Sequence, residues 1–302
     1  MSHVPRFPLL PPMLSVVFAL NTAFPFNEYL EVLKTIPQMT WTPGVSERLK
    51  GKTVEELKSM LMHVEKFPMT TERVRYVGAP PASWDWATQN AACVNYIRDQ
   101  GQCGSCWAFS ATSAFNDLRC INKKDATHVF HSEQYVVSCD PIDQGCNGGY
   151  LNMVWYFLEK TGTALDSCVP YTSGTSGVTG TCPTKCTNGT GAITLTKAAG
   201  VATNVCSSVT SIMTALVTGP LTTGFTVYYD FELYTSGIYK HVWGPEMGGH
   251  AVEFVGYGTT NGTAFWKVKN SWGATWGEQG YFQILKGVDE CGIEDECYLG
   301  SV

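Results

Sequence analysis

The chain of 302 residues predicts an α+β fold, with a helical half preceding a β half, and three observations carry that expectation. From Cys106 onward, Ala108, Ala111, Phe115 and Leu118 recur at spacings of three and four, the period of an amphipathic helix packed into a core. After Thr190 the period changes to two, with Leu221, Thr223, Phe225, Val227 and Tyr229 alternating along a strand. Asn261-Gly262 is a strong hairpin turn between Ala251-Val252-Glu253-Phe254-Val255 and Phe265-Trp266-Lys267-Val268-Lys269. The expected division is a helical subdomain over about 79–190 and a β subdomain, barrel-like, over 191–302, with a cleft between them as the place for a site.

Composition bounds the class. With 44% apolar residues the chain can bury a large core. None of its twelve cysteines precedes Cys93, and that density points to an oxidising compartment reached through the secretory pathway, either a lysosome-like vesicle or the exterior. Residues 1–78 carry 9 Lys+Arg against 7 Asp+Glu, while residues 79–302 carry 11 against 19. A basic leader on an acidic body suits a segment that lies against the body, and an acidic body gives no encouragement to nucleic-acid binding.

The first 23 residues, with Arg6 and then the apolar run Phe7 to Leu20, read as a secretory signal peptide; the prolines and the short length argue against a membrane span. Two short amphipathic helices follow. One carries Phe26, Tyr29, Leu30 and Leu33; the other, over 53–64, carries Val54, Leu57, Met60, Leu61 and Val64, with Thr53 and Glu56 as a capping box. Gly78-Ala79-Pro80-Pro81-Ala82-Ser83 reads as an exposed linker open to cleavage, so residues 24–78 are expected to be a propeptide rather than a permanent subdomain. Further on, Ser132 is a candidate cap for a helix with Tyr135, Val136 and Val137, and another helix follows Gly149 through Val154, Phe157 and Leu158. The Ser/Thr/Gly-rich run between Tyr171 and Cys182 reads as a mobile surface loop.

Cys106 falls where a glycine-rich turn becomes a helix, and there the free N–H groups and the dipole favour a thiolate, the reactive form of cysteine. Cys103-x-x-Cys106 also admits a thioredoxin-like redox pair, or simply two structural cysteines. The hairpin argues for a nucleophile, because pairing its strands brings Asn270 close to His250 and so supplies an imidazole with an amide to orient it. Trp266, Val268 and Asn270 share one strand face, and Trp272 follows as an indole able to cover the pair. His3, His63, His128, His131 and His241 read as structural or solvated.

The segments Gln100 to Ser110, Cys146-Asn147-Gly148-Gly149, Gly248-Gly249-His250-Ala251, Lys269-Asn270-Ser271-Trp272-Gly273 and Gly277-Glu278-Gln279-Gly280-Tyr281 together resemble the papain-like cysteine peptidases. Tyr228-Tyr229-Asp230-Phe231 with Tyr234 to Tyr239, and Cys291 to Glu296, resemble the cathepsin B branch in particular. The resemblance covers about Pro81 to the C-terminus. It implies a two-domain peptidase made as a zymogen and inhibited by its own propeptide, acting as a monomer on peptide or protein substrates without metal or cofactor. In that family Cys106 is the nucleophile, His250 its acid/base partner and Asn270 the residue orienting His250, while Gln100 is a donor to the oxyanion; Gly148, Gly149 and Trp272 line the substrate site, and Glu296 floors a pocket that admits basic side chains. The implied disulfides are Cys93–Cys120, Cys103–Cys146, Cys139–Cys182 and Cys168–Cys186, which leaves Cys206, Cys291 and Cys297 as an odd set. Between Cys168 and Cys182 there is no histidine, lysine or arginine, so the branch's histidine-bearing occluding loop is missing and an endopeptidase is expected. A catalytically silent secreted binding relative and a thiol oxidoreductase are the alternatives.

Overall fold

The strand Glu246–Thr260 runs through the centre of the β half, and what pairs with it decides where the site lies. The computed structural model describes residues 25–62, 73–187, 189 and 191–302. The proposed signal peptide, His63, Val64, Asn188 and Thr190 fall outside the described residues.

Nine strands are described: β1 Trp41–Pro43, β2 Trp84–Asp85, β3 Gly200–Asn204, β4 Leu221–Tyr228, β5 Tyr234–Tyr239, β6 Glu246–Thr260, β7 Thr263–Lys269, β8 Tyr281–Leu285 and β9 Cys297–Ser301. They form one open sheet in the order β1-β5-β8-β7-β6-β4-β9-β3, with β2 added on β6. The β6–β7 hairpin turns at Asn261 and Gly262, both at positive φ, as an Asn-Gly turn of the primed kind requires. β4 pairs antiparallel to β6 with Phe225 opposite His250.

The described helices are α1 Phe26–Lys34, α2 Val54–Ser59, α3 Trp86–Gln89, α4 Ala91–Val94, α5 Cys106–Ile121, α6 Glu133–Cys139, α7 Leu151–Lys160, α8 Ser173–Ser176 and α9 Val209–Leu216. Helix α5 is buried along most of its length because Ala108, Ala111, Ala114, Phe115 and Leu118 face the core. Helix α6 is capped by Ser132, whose hydroxyl accepts from the Tyr135 N–H at 2.9 Å. One apolar core gathers α5, α6 and α7; a second gathers the sheet and also takes in Leu33, Trp41, Leu49, Leu57 and Leu61 of the N-terminal segment. The two cores meet where α5 lies on β6, joined by the Ser110 hydroxyl donating to the Val252 carbonyl at 2.6 Å. This is a papain-like fold, helical half against β half.

Two expectations need correction. The second N-terminal helix ends at Ser59 rather than continuing to 64, although its capping box forms as expected. Met62 instead takes an extended conformation and exchanges backbone hydrogen bonds with Gly249, at 2.8 and 3.3 Å, so a strand bridge replaces the last helical turn. The run between Tyr171 and Cys182 is not a free loop. Its α8 turn is held by Gln134, whose Oε1 accepts from the Thr172 and Ser173 N–H groups at 2.8 and 2.9 Å, and Ser173 is buried.

Candidate active site

Cys106 is the first residue of α5, and Ser105 before it makes no side-chain cap, so the first N–H groups of the helix remain available. The backbone groups of Ala251, the residue next to His250 on β6, and of Trp107 lie near the thiol and favour its ionised form. Cys106 and His250, one from each half, thus border the same seam. The His250 Nε2 lies 2.8 Å from Asn270 Oδ1, which also accepts from the Ser271 N–H at 2.8 Å. Trp272 stacks on the His250 ring with centroids 4.7 Å apart, and Phe225 meets the ring edge-on at 5.9 Å. Amide, indole and phenyl together fix the imidazole plane and leave its buried Nδ1 without a protein partner.

Gln100 is fully buried and anchored from behind, its Oε1 accepting from the Ser271 hydroxyl at 2.7 Å. Its amide Nε2 donates to the Cys103 carbonyl at 3.0 Å and to the Met60 carbonyl at 2.7 Å. A residue of the N-terminal segment thus occupies the donor that faces the seam. Gly104 allows that approach: a Cβ there would lie 2.7 Å from the Leu61 carbonyl oxygen and 2.4 Å from that of Cys146. Gly149 is required for a different reason, since its Cβ would sit 2.5 Å from the Trp107 indole. Gly148 precedes it at φ 122°.

Burial under this segment alters the expected ionisation. The Cys106 thiol is pushed up to about 12 by desolvation, against the lowering effect of its backbone donors. The His250 imidazole is pushed down to about 3, again chiefly by burial. In the covered chain burial thus favours the thiol over the thiolate expected at a helix N-terminus, because the helix-end N–H groups do not offset removal from water.

Of the other expected site residues, Trp272 joins His250, whereas Glu296 stands just before β9 with its carbonyl accepting from Thr223 Oγ1 at 2.9 Å. Glu294, two residues earlier, accepts from the Trp266 indole N–H at 2.7 Å and the Gly287 N–H at 2.6 Å. Arg73, beyond the cleft, donates to the Asp295 carbonyl at 3.0 Å. His128 and His131 are buried and structural, with His131 Nδ1 2.7 Å from Asn116 Oδ1. The cysteines pair as Cys93–Cys120, Cys103–Cys146, Cys139–Cys182 and Cys168–Cys186, with a fifth bond Cys206–Cys297; Cys106 and Cys291 are free. Because Cys103 is bonded to Cys146, it is not the redox partner of Cys106.

Sequence reasoning missed Arg48, Met60 and Glu232, which meet at the Trp272 side of the seam. A signal for Glu232 was present, since it is a carboxylate set between Phe231 and Leu233 in a run rich in aromatic residues.

A helical half and a β half meeting at a buried cysteine and an amide-oriented histidine define a cysteine protease of the papain type. The chain belongs to the papain family of cysteine proteases, whose family model matches residues 80–301. It is 47% identical to Cathepsin B-like CP3 of Giardia intestinalis, over 86% of this chain and 89% of that protein. It is 38% identical to Cathepsin B-like cysteine proteinase 4 of Caenorhabditis elegans, over 81% of this chain and 84% of the relative. Among solved structures it is similar to proCathepsin B S9 from Trypanosoma congolense, with a TM-score of 0.84 at 27% identity, covering 91% of this chain and 97% of that one. The chain thus stands in the cathepsin B-like branch. Among the described residues, no helix is long and apolar enough to cross a membrane.

Proposed function

We propose that the chain is the zymogen of an endopeptidase in which residues 24–78 inhibit the peptidase domain of 79–302 until cleavage near the exposed Gly78-Ala79 linker. The observation that carries this reading is the path of Met60–Met62 across the seam, with its carbonyl on Gln100 and its backbone paired to Gly249. Gln100 and Gly249 are then covered by backbone that cleavage could remove.

Once uncovered, Cys106 gives its thiol proton to His250 as Sγ attacks the scissile carbonyl, His250 passes that proton to the leaving amine, and the C–N bond breaks to leave an acyl-enzyme. Water, deprotonated by His250, then releases the acyl group and restores the thiol. Asn270 holds the imidazole, and Gln100 Nε2 donates to the oxyanion from the place where it now meets the Met60 carbonyl. The acyl side of the substrate lies along Gly148 and Gly149, with Glu296 at the floor of a side-chain pocket, and the leaving side lies at Trp272. The twelve cysteines and the apolar N-terminus support passage through the secretory pathway.

The test is processing near residue 79 followed by treatment with an epoxide inhibitor selective for this class. Labelling at Cys106, lost in His250→Ala, is the expected result; labelling elsewhere overturns the assignment. The lack of basic residues between Cys168 and Cys182 supports internal cleavage. Efficient release of C-terminal dipeptides would instead make the enzyme an exopeptidase.

A further inference from the structure

Arg48 reaches into the seam from the N-terminal segment and is nearly buried there, with 9% of its side chain exposed. Its guanidinium lies 4.2 Å above the Trp272 ring, and its Nη2 lies 2.7 Å from Met60 Sδ. Its Nη1 stands 3.7 Å from Glu232 Oε2, a distance that leaves both atoms attracted but without a hydrogen bond. Glu232 is 1% exposed and sits in the 3-10 turn Phe231–Leu233 that joins β4 to β5. Asp99, whose backbone bridges to Trp272, adds a second negative charge that Arg48 feels.

Trp272 is the indole stacked on His250, so this guanidinium site adjoins the imidazole that protonates the leaving group. The parts have different origins. Glu232, Asp99 and Trp272 belong to the body of the enzyme, whereas Arg48 and Met60 belong to the segment that processing removes. After removal the carboxyl set into an apolar wall has lost its cation, and holding its charge there unpaired is costly enough that burial favours the neutral acid. A cation on the incoming peptide relieves that cost. The aromatic face and the nearby carboxylate suit a flat guanidinium better than an ammonium.

We infer that Glu232 and Trp272 form a leaving-side specificity pocket that selects a basic residue, arginine above lysine, at one of the first two positions after the scissile bond, and that Arg48 is its placeholder in the zymogen. The inference rests on the peptidase reading and adds to it the chemistry of the substrate on the side that departs.

The experiment uses the processed protein and internally quenched peptides that differ only in carrying Arg, Lys, Leu or Glu at those two positions. A short peptidyl-aminocoumarin substrate, which has no residue beyond the scissile bond, first establishes peptidase activity in the wild type; its failure to react would overturn the peptidase reading and this inference together. With activity present, kcat/KM for the better-placed Arg peptide is expected to exceed that of its Leu counterpart at least tenfold, with Glu the poorest. The readout for Glu232→Leu and the near-isosteric Glu232→Gln is the Arg-to-Leu ratio within each variant, which a general loss of activity does not move. That ratio is expected to fall toward one. Equal rates on Arg and Leu peptides in the wild type, or an Arg preference unchanged in a folded Glu232 variant, would overturn the pocket while leaving the peptidase standing.

Discussion

The Met60 carbonyl oxygen lies 2.7 Å from Gln100 Nε2, so a leader residue takes the hydrogen bond that the proposed mechanism reserves for an oxyanion. Gln100 is held there by the Ser271 hydroxyl on its other side, and so its donor needs no rearrangement on release. Gln100→Ala is expected to lower kcat of the processed enzyme by roughly 100-fold or more, the usual loss for one preorganised donor, with KM little changed. Steady-state kinetics on a peptidyl-aminocoumarin decide it, and a loss confined to KM would move Gln100 out of the chemistry.

Asn270→Ala removes the partner of His250 Nε2 but leaves Trp272 stacked on the ring. The imidazole keeps its plane and loses its fixed rotation. A fall in kcat of roughly tenfold is expected, a part of what positioned acid–base catalysis supplies. An unchanged pH–rate profile and kcat would count against the orienting role.

Alkylation of Cys106 should report removal of the leader. In the covered chain burial holds the thiol up to about 12 and the imidazole down to about 3, so between pH 5 and 8 both are neutral. Iodoacetamide is therefore expected to modify Cys106 slowly in the intact chain, and much faster after processing exposes the pair to water. Equal rates before and after, followed by peptide mapping, would show that the leader does not suppress the thiolate.

Stability should fall from pH 6.5 to 8. Burial, with Asp117 nearby, raises Glu253 to about 8, and burial raises Glu133 to about 7. The native state binds these protons at pH values where an unfolded carboxylate, ionising near pH 4.3, has lost them. Such a contribution is complete in acid and disappears as pH rises through the native values. His128 and His131, pushed down to about 4 by burial, act in the opposite sense only below about 6.5, outside this window. Thermal melts of the intact chain should show Tm dropping by a few degrees across it, and Glu253→Gln should flatten the slope.

The Cys206–Cys297 bond spans 91 residues and ties the turn between β3 and α9 to the start of β9. Replacing both cysteines by serine is expected to cost about 4 kcal/mol in reversible unfolding, through the longer loop freed in the unfolded chain. A loss below about 1 kcal/mol would mean that the unfolded chain is held compact in another way.

The elements that sequence reasoning located are those whose cause is local. The Thr53–Glu56 capping box, the Ser132 cap and the Asn261-Gly262 turn each depend on a few adjacent residues, and each is present. The closeness of His250 to Asn270 was also legible, since both belong to one hairpin. The end of α2 was not legible, because helical periodicity over 53–64 gives no warning that Gly249, far along the chain, offers Met62 a backbone partner. The partner of Arg48 was hidden for the same reason.

By itself the sequence determined the two halves, because short-range periodicity and turn chemistry need only neighbouring residues, and it carried the resemblance that nominates Cys106, His250, Asn270 and Gln100. Tertiary structure alone decided that burial favours the thiol form of Cys106 in the covered chain and that Arg48 lies between Trp272 and Glu232. Both depend on what packs over the seam, since desolvation and Coulomb attraction are set by distance through space and not by separation along the chain.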